Sequence, residues 1–110
     1  MFDKKTEIKI NEAVMLELLN ACKTYGANYN SYHEAYAILK EEVEEAEADI
    51  KTINDYLGSI WEEVKTDDPE ALRADAMVIT RYAVELAKEA VQIAAVTRKI
   101  IGAGNYAREL

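Results

Sequence analysis

One proline and four glycines in 110 residues leave this chain with very few places to stop a helix. Their positions divide it. Gly26, with Asn28 and Asn30, favours turns and left-handed backbone. Thr66-Asp67-Asp68-Pro69 supplies an Asp N-cap, a proline at the first helical position and Glu70 in the first turn. Gly102 and Gly104 terminate a helix. Between these points Ala, Glu, Leu, Lys and Ile dominate, and the β-branched residues fall inside helical periods. The pattern predicts an all-α chain. A first helix covers Thr6 to about Thr24. A second begins after Ser31, which pairs with Glu34 in a capping-box pattern. It runs to about Thr52 and either continues or kinks near Asn54-Asp55 before Tyr56 to Val64. A third runs from Pro69 to about Ile101, and 103–110 reads as a short tail.

The apolar positions predict how these helices pack. Ile10, Val14, Leu18 and Ala21 share a face of the first helix, with Leu19 and Cys22 beside them. Leu39, Val43, Ala46, Ile50, Ile53 and Leu57 recur at alternating steps of four and three, a heptad seam along the second. Trp61 is expected as a core anchor. The third helix is apolar on two sides, one carrying Ile79, Ala83, Leu86, Ala90, Ile93 and Ala94, the other Val84, Ala87, Val91 and Ala95. A chain of this length could hardly cover both. The expectation is a single domain, 1–110, built as a bundle of three to four helices and completed by oligomerisation into a dimer or tetramer.

Composition bounds the function. Half the residues are hydrophobic, which argues against disorder. A net charge of −8 argues against nucleic-acid and anionic-membrane binding, though not against a nucleotide carrying a divalent cation. Met1 to Lys5 leads into an amphipathic helix, not a signal peptide. Arg81, Glu85, Lys88 and Glu89 interrupt the most apolar region, so no membrane span is expected. Cys22 is the sole cysteine, read as a small core residue, and it fits a reducing cytoplasm.

The acid run Glu41-Glu42-Val43-Glu44-Glu45 borders the seam of the second helix. At about 100° per residue, Glu42, Glu45 and Asp49 fall beside that seam, while Lys40, Glu44 and Glu47 point away. On the third helix Glu85, Glu89 and Gln92 share a face with Tyr82 and Val96. Two such clusters turned toward one cavity suit Mg²⁺, which takes hard oxygen ligands and binds substrate phosphates. Zinc is disfavoured by the single His and Cys, and a di-iron site by the lack of a Glu-x-x-His pair. Spacing alone leaves the other reading open: a solvated face laced with i,i+4 ion pairs among Arg81, Glu85, Lys88 and Lys99.

The segment Asn30-Ser31-Tyr32-His33-Glu34-Ala35-Tyr36-Ala37-Ile38-Leu39-Lys40-Glu41-Glu42-Val43-Glu44-Glu45, followed by Glu85-Leu86-Ala87-Lys88-Glu89-Ala90-Val91-Gln92-Ile93-Ala94-Ala95, resembles the MazG-like all-α nucleoside triphosphate pyrophosphohydrolases. The likeness is to the short phage and prophage variants and covers about residues 30–101. Glu41, Glu42 and Glu45 match the family's Glu-Glu-x-x-Glu metal motif. The family's second motif, Glu-x-x-Asp, falls on Glu89 and Gln92, and Gln92 brings no charge. The resemblance implies a hydrolase that uses Mg²⁺, with Mn²⁺ as substitute, to split a nucleoside triphosphate into monophosphate and pyrophosphate. Glu42, Glu45, Glu89 and Gln92 would hold metal, and Glu41 would position or deprotonate water. Lys88 and Lys99 are phosphate contacts on this reading or solvated lysines on the other, with Glu85 able to compensate for Gln92. Base contacts fall to Tyr29, Tyr32, Tyr36 or Trp61, which could equally be core. His33 either touches substrate or is a partly buried residue at the helix start. The alternative implied by Gln92 is a catalytically silent helical oligomer acting as an accessory protein; a toxin–antitoxin-like regulator is a third.

Overall fold

The computed structural model describes residues 2–102. Three helices account for most of them: α1 (Lys4–Tyr25), α2 (Tyr32–Thr66) and α3 (Pro69–Ile101), with no strand among the described residues. The all-α expectation holds, and α2 is one continuous helix through Asn54-Asp55. Gly104 and the expected tail lie outside the described residues.

Each helix end follows from local chemistry. Asp3 caps α1, its carboxylate accepting from the Thr6 amide at 2.8 Å. At the other end Gly26, at φ 93°, donates to the Cys22 carbonyl at 2.8 Å, a conformation that favours glycine. Ser31 Oγ accepts from the Glu34 amide at 3.1 Å, the forward half of the expected capping box. The return half lands one residue early: the Glu34 carboxylate accepts from the Asn30 amide and from Asn30 Nδ2, not from Ser31. The loop before α2 is thereby tied to its first turn.

The chain divides into two compact units. The first comprises the chain through Val43 and from Ala90 onward. Its core is Val14 and Leu18 of α1 against Ala95 of α3, flanked by Met15, Cys22, Val91 and Ala94. Cys22 is half-buried and packs against this cluster, as expected of a small core residue. Ala35 near the start of α2 is also buried.

The second unit, Glu44–Glu89, is a helical hairpin. Its turn is two residues long. Asp67 takes the left-handed conformation, φ 55°, that usually falls to glycine. Its amide bonds the Val64 carbonyl, and the Asp68 amide bonds the Glu63 carbonyl at 3.0 Å, a Schellman closure of α2. Asp68 then caps α3 through the Ala71 amide at 3.2 Å, the Asp-cap-then-Pro signal read in the sequence.

Burial corrects three packing expectations. Trp61 is not a core anchor: it is 59% exposed, with Lys65 Nζ 5.6 Å from its ring centroid. Ile50 and Leu57 of the expected seam are exposed as well. The half-buried positions of α2 instead run through Ala46, Asp49, Ile53, Tyr56, Ile60 and Glu63. The seven-residue repeat itself persists: the row Ala46, Ile53 and Ile60 is kept, but its partner row is Asp49, Tyr56 and Glu63, not Ile50 and Leu57, so the contact lies on the other flank of that row. On α3 the two-sided burial is realised only toward its C-terminal end, around Val91 to Lys99, while Ala83, Val84, Ala87 and Ala90 are exposed.

Leu18 is 1% exposed and is the one large side chain buried this fully among the described residues. Leu18→Ala is expected to lower unfolding free energy by about 2–5 kcal/mol, read from the urea midpoint at unchanged slope.

Candidate functional site

Three carboxylates from α2 and α3 converge. Glu42 and Glu45 stand one turn apart on α2, and Glu89 belongs to α3. Each offers an oxygen, and the three oxygens lie within 4.8 Å of one another. Glu42 and Glu89 are half-buried and Glu45 is exposed, so the cluster opens to solvent on one side. The three-residue step places Glu42 and Glu45 on adjacent turns of one helix flank. Octahedral Mg²⁺ with bonds of about 2.1 Å spaces its ligand oxygens about 3 Å apart when adjacent and about 4.2 Å when opposed. Glu42 Oε2 is shut off from solvent and receives no hydrogen bond among the described residues. An all-oxygen, all-anionic donor set of this size fits a hard divalent cation.

The other predicted residues fall around or away from this cluster. Gln92 is half-buried on α3, one turn beyond Glu89. Glu41 is exposed and is not one of the three converging groups. Glu85 and Lys88 form an exposed ion pair at 3.1 Å, an i,i+3 contact of the kind the solvated-face reading anticipates. His33, Tyr32 and Tyr36 are exposed. The expected partial burial of His33 is not found, because the capping at the start of α2 runs through Asn30, Ser31 and Glu34 instead.

Lys99 departs most from the solvated reading. It is 6% exposed, and its Nζ sits 4.3 Å from the centroid of the Tyr29 ring. The Tyr29 phenol is pushed above its ordinary value, first by burial, then by the neighbouring Cys22, Glu34 and Glu42. It therefore stays protonated across the physiological range.

Comparison with protein-family models, with curated proteins and with solved structures finds no match.

A second acidic contact escaped the sequence reading. Glu63 of α2 faces Asp75 of α3 within the hairpin, and Glu63 Oε2 and Asp75 Oδ2 are both shut off from solvent with no donor if both groups are ionised. A shared proton resolves this. The Glu63 carboxyl is raised to about 7, first by its hydrogen bond to Asp75, then by desolvation and by the negative charges of Asp75 and Asp68. The signal lay in the turn: with Asp67-Asp68 at its apex, α2 positions near 60–63 come opposite α3 positions near 72–75. Because the folded value lies above the unfolded one, the protonated pair stabilises the hairpin fully in acid. That contribution is lost as pH rises through about 7. The melting temperature is expected to fall between about pH 5 and 8, and Glu63→Gln should flatten that slope. A wild-type slope that survives the substitution would place the proton elsewhere.

Proposed function

We propose that this chain is a metal-dependent nucleoside triphosphate pyrophosphohydrolase of the MazG-like kind, working as a homo-oligomer. The convergence of Glu42, Glu45 and Glu89 carries the reading. These are the motif residues on which the sequence resemblance rests, and separate helices bring them to within one cation's reach. Glu42, Glu45 and Glu89 would hold Mg²⁺ or Mn²⁺, with Gln92 offering a neutral carbonyl oxygen one turn on. The bound cation supplies charge neutralisation on the phosphoryl oxygens and the pyrophosphate leaving group. Glu41, exposed beside Glu42, orients or deprotonates the attacking water. The exposed Tyr32 and Tyr36 offer ring faces to a base. The products are a nucleoside monophosphate and pyrophosphate.

Gln92 favours one second reading, a silent oligomer that kept the helices and lost turnover. A neutral amide in place of a carboxylate removes a unit of negative charge from the ligand set and lowers metal affinity. Pyrophosphate release from a panel of nucleoside triphosphates with Mg²⁺ or Mn²⁺ separates the two. Activity that falls at least about 100-fold in Glu42→Gln, with the helical signal intact, supports the hydrolase. Absence of release from every triphosphate, alongside retained Mn²⁺ binding, supports the silent form.

Oligomerisation is supported by the hairpin. None of residues 44–89 is fully buried. Ile50, Leu57, Trp61 and Val64 form an exposed apolar stripe on α2, and Met77 and Val84 are exposed on α3. Two helices alone cannot enclose such surfaces, and a partner copy would cover them. Light scattering is expected to give a multiple of 12.4 kDa. Trp61→Glu should shift that mass toward the monomer without loss of helical circular dichroism. A wild-type mass of one chain would count against assembly.

A further inference from the structure

A buried lysine is rare unless a carboxylate pairs with it. Lys99 is buried, and among the described residues no carboxylate forms an ion pair with it. The Tyr29 face at 4.3 Å offsets part of the desolvation of its ammonium. An aromatic face does not satisfy three N–H donors.

The space beside Lys99 has the complementary chemistry. A cavity of about 350 Å³ is lined by Lys99 and Tyr29 together with Asn28, Asn30, Ser31 and Tyr32, and no carboxylate is among its lining residues. It lies at the N-terminus of α2, where helix amides and the helix dipole favour an anion. Ser31 Oγ takes the Glu34 amide, while the Tyr32 and His33 amides precede the first intrahelical bond. In a chain of net charge −8 this is a local concentration of donors around a buried cation.

A second cavity, of about 440 Å³, shares Asn28, Tyr29, Asn30 and Lys99 and adds the apolar Ala21, Tyr25, Ile38 and Val96. The one carboxylate on its lining, Glu34, is already held by the Asn30 amide and Nδ2. The two cavities share the walls of Asn28, Tyr29, Asn30 and Lys99, the first being the polar lobe and the second the apolar lobe of the surroundings of Lys99.

We infer that these adjoining cavities bind a small phosphomonoester, its phosphate seated against Lys99 at the start of α2 and a flat apolar group lying in the lobe of Tyr25, Ile38 and Val96. A phosphate offers three acceptor oxygens, enough for the ammonium and neighbouring amides together. None of Glu42, Glu45 and Glu89 lines either cavity, and the contacts invoked need no divalent cation.

The test is calorimetric titration of the full chain in EDTA with three probes: inorganic phosphate, a nucleoside monophosphate and the uncharged nucleoside. The monophosphate is expected to bind most tightly. Lys99→Met keeps the aliphatic stem and removes the charge. It should weaken the monophosphate by about tenfold or more and leave the nucleoside unchanged. Asn28 is exposed in the loop, so Asn28→Asp places a repelling charge on the polar lobe without touching the core; it should weaken the monophosphate severalfold even if the lysine variant fails to fold. The inference is overturned if the monophosphate does not bind the wild type at about 10 mM, if it binds no better than the nucleoside, or if a folded Lys99→Met or Asn28→Asp binds it with wild-type affinity. With metal chelated throughout, a failure here leaves the Glu42 reading untouched, and loss of metal-dependent hydrolysis leaves this one untouched.

Discussion

The two-residue turn at Asp67-Asp68 sets the register on which the carboxylate chemistry depends. It closes α2 with a Schellman pair of hydrogen bonds and opens α3 with the Asp68 cap. Residues at similar distances on either side of it then come opposite one another. Glu45 and Glu89 are each about 22 residues from the apex, roughly 33 Å along a helix at 1.5 Å per residue. One inserted residue would shift that register by about 1.5 Å and rotate the following side chains by about 100°. The convergence of Glu45 with Glu89 could not survive it. Asp67 holds a left-handed conformation that disfavours most residues, and a short polar side chain tolerates it better than a branched or apolar one.

The hairpin places acids on its inward positions, which ordinarily costs stability. Glu63 and Asp75 are half-buried, as are Asp49 and Glu89. Paired carboxylates that cannot reach water need a countercharge or a proton. Near the turn the proton is the solution: Glu63 holds it to about 7 and donates to Asp75. Farther along α2 and α3 three carboxylates gather within 4.8 Å, and on the proposed reading a divalent cation would offset part of their charge.

The helices were legible because their punctuation is sparse and strong: Gly26, Ser31 with Glu34, and Asp68-Pro69 each act within one turn of the chain. Helical spacing puts Glu42 and Glu45 on one flank of α2 and Glu89 on one face of α3, but an i,i+3 pair of acids also describes a solvated face, so spacing alone does not say that the two faces meet. Trp61 was misread because an aromatic at helical spacing says nothing about which side of the helix has a neighbour. Ile50 and Leu57 are exposed because the contact takes the flank of Ala46, Ile53 and Ile60 that carries Asp49, Tyr56 and Glu63, and apolarity alone points to the other flank. Lys99 could not be found from α3 alone. Its surroundings come from Tyr29, some 70 residues earlier, and only the packing of α3 against the loop before α2 brings them together.

On the proposed reading, Gln92 would make metal binding and turnover separable. On that reading the three carboxylates within 4.8 Å would be the hard ligands of a cation that keeps several waters. A fourth carboxylate adds charge, and charge governs both affinity and how strongly the cation polarises a phosphoryl oxygen. A neutral carbonyl ligand would donate less charge to the cation, leaving it a stronger Lewis acid but a more weakly held one. On the hydrolase reading the substrate's own phosphates restore the missing negative charge, so metal and nucleotide would bind cooperatively. On the silent reading there is no such compensation, and the metal would bind as weakly with nucleotide as without it. The coupling between the two ligands, more than the affinity of either, is therefore the quantity on which the two readings part.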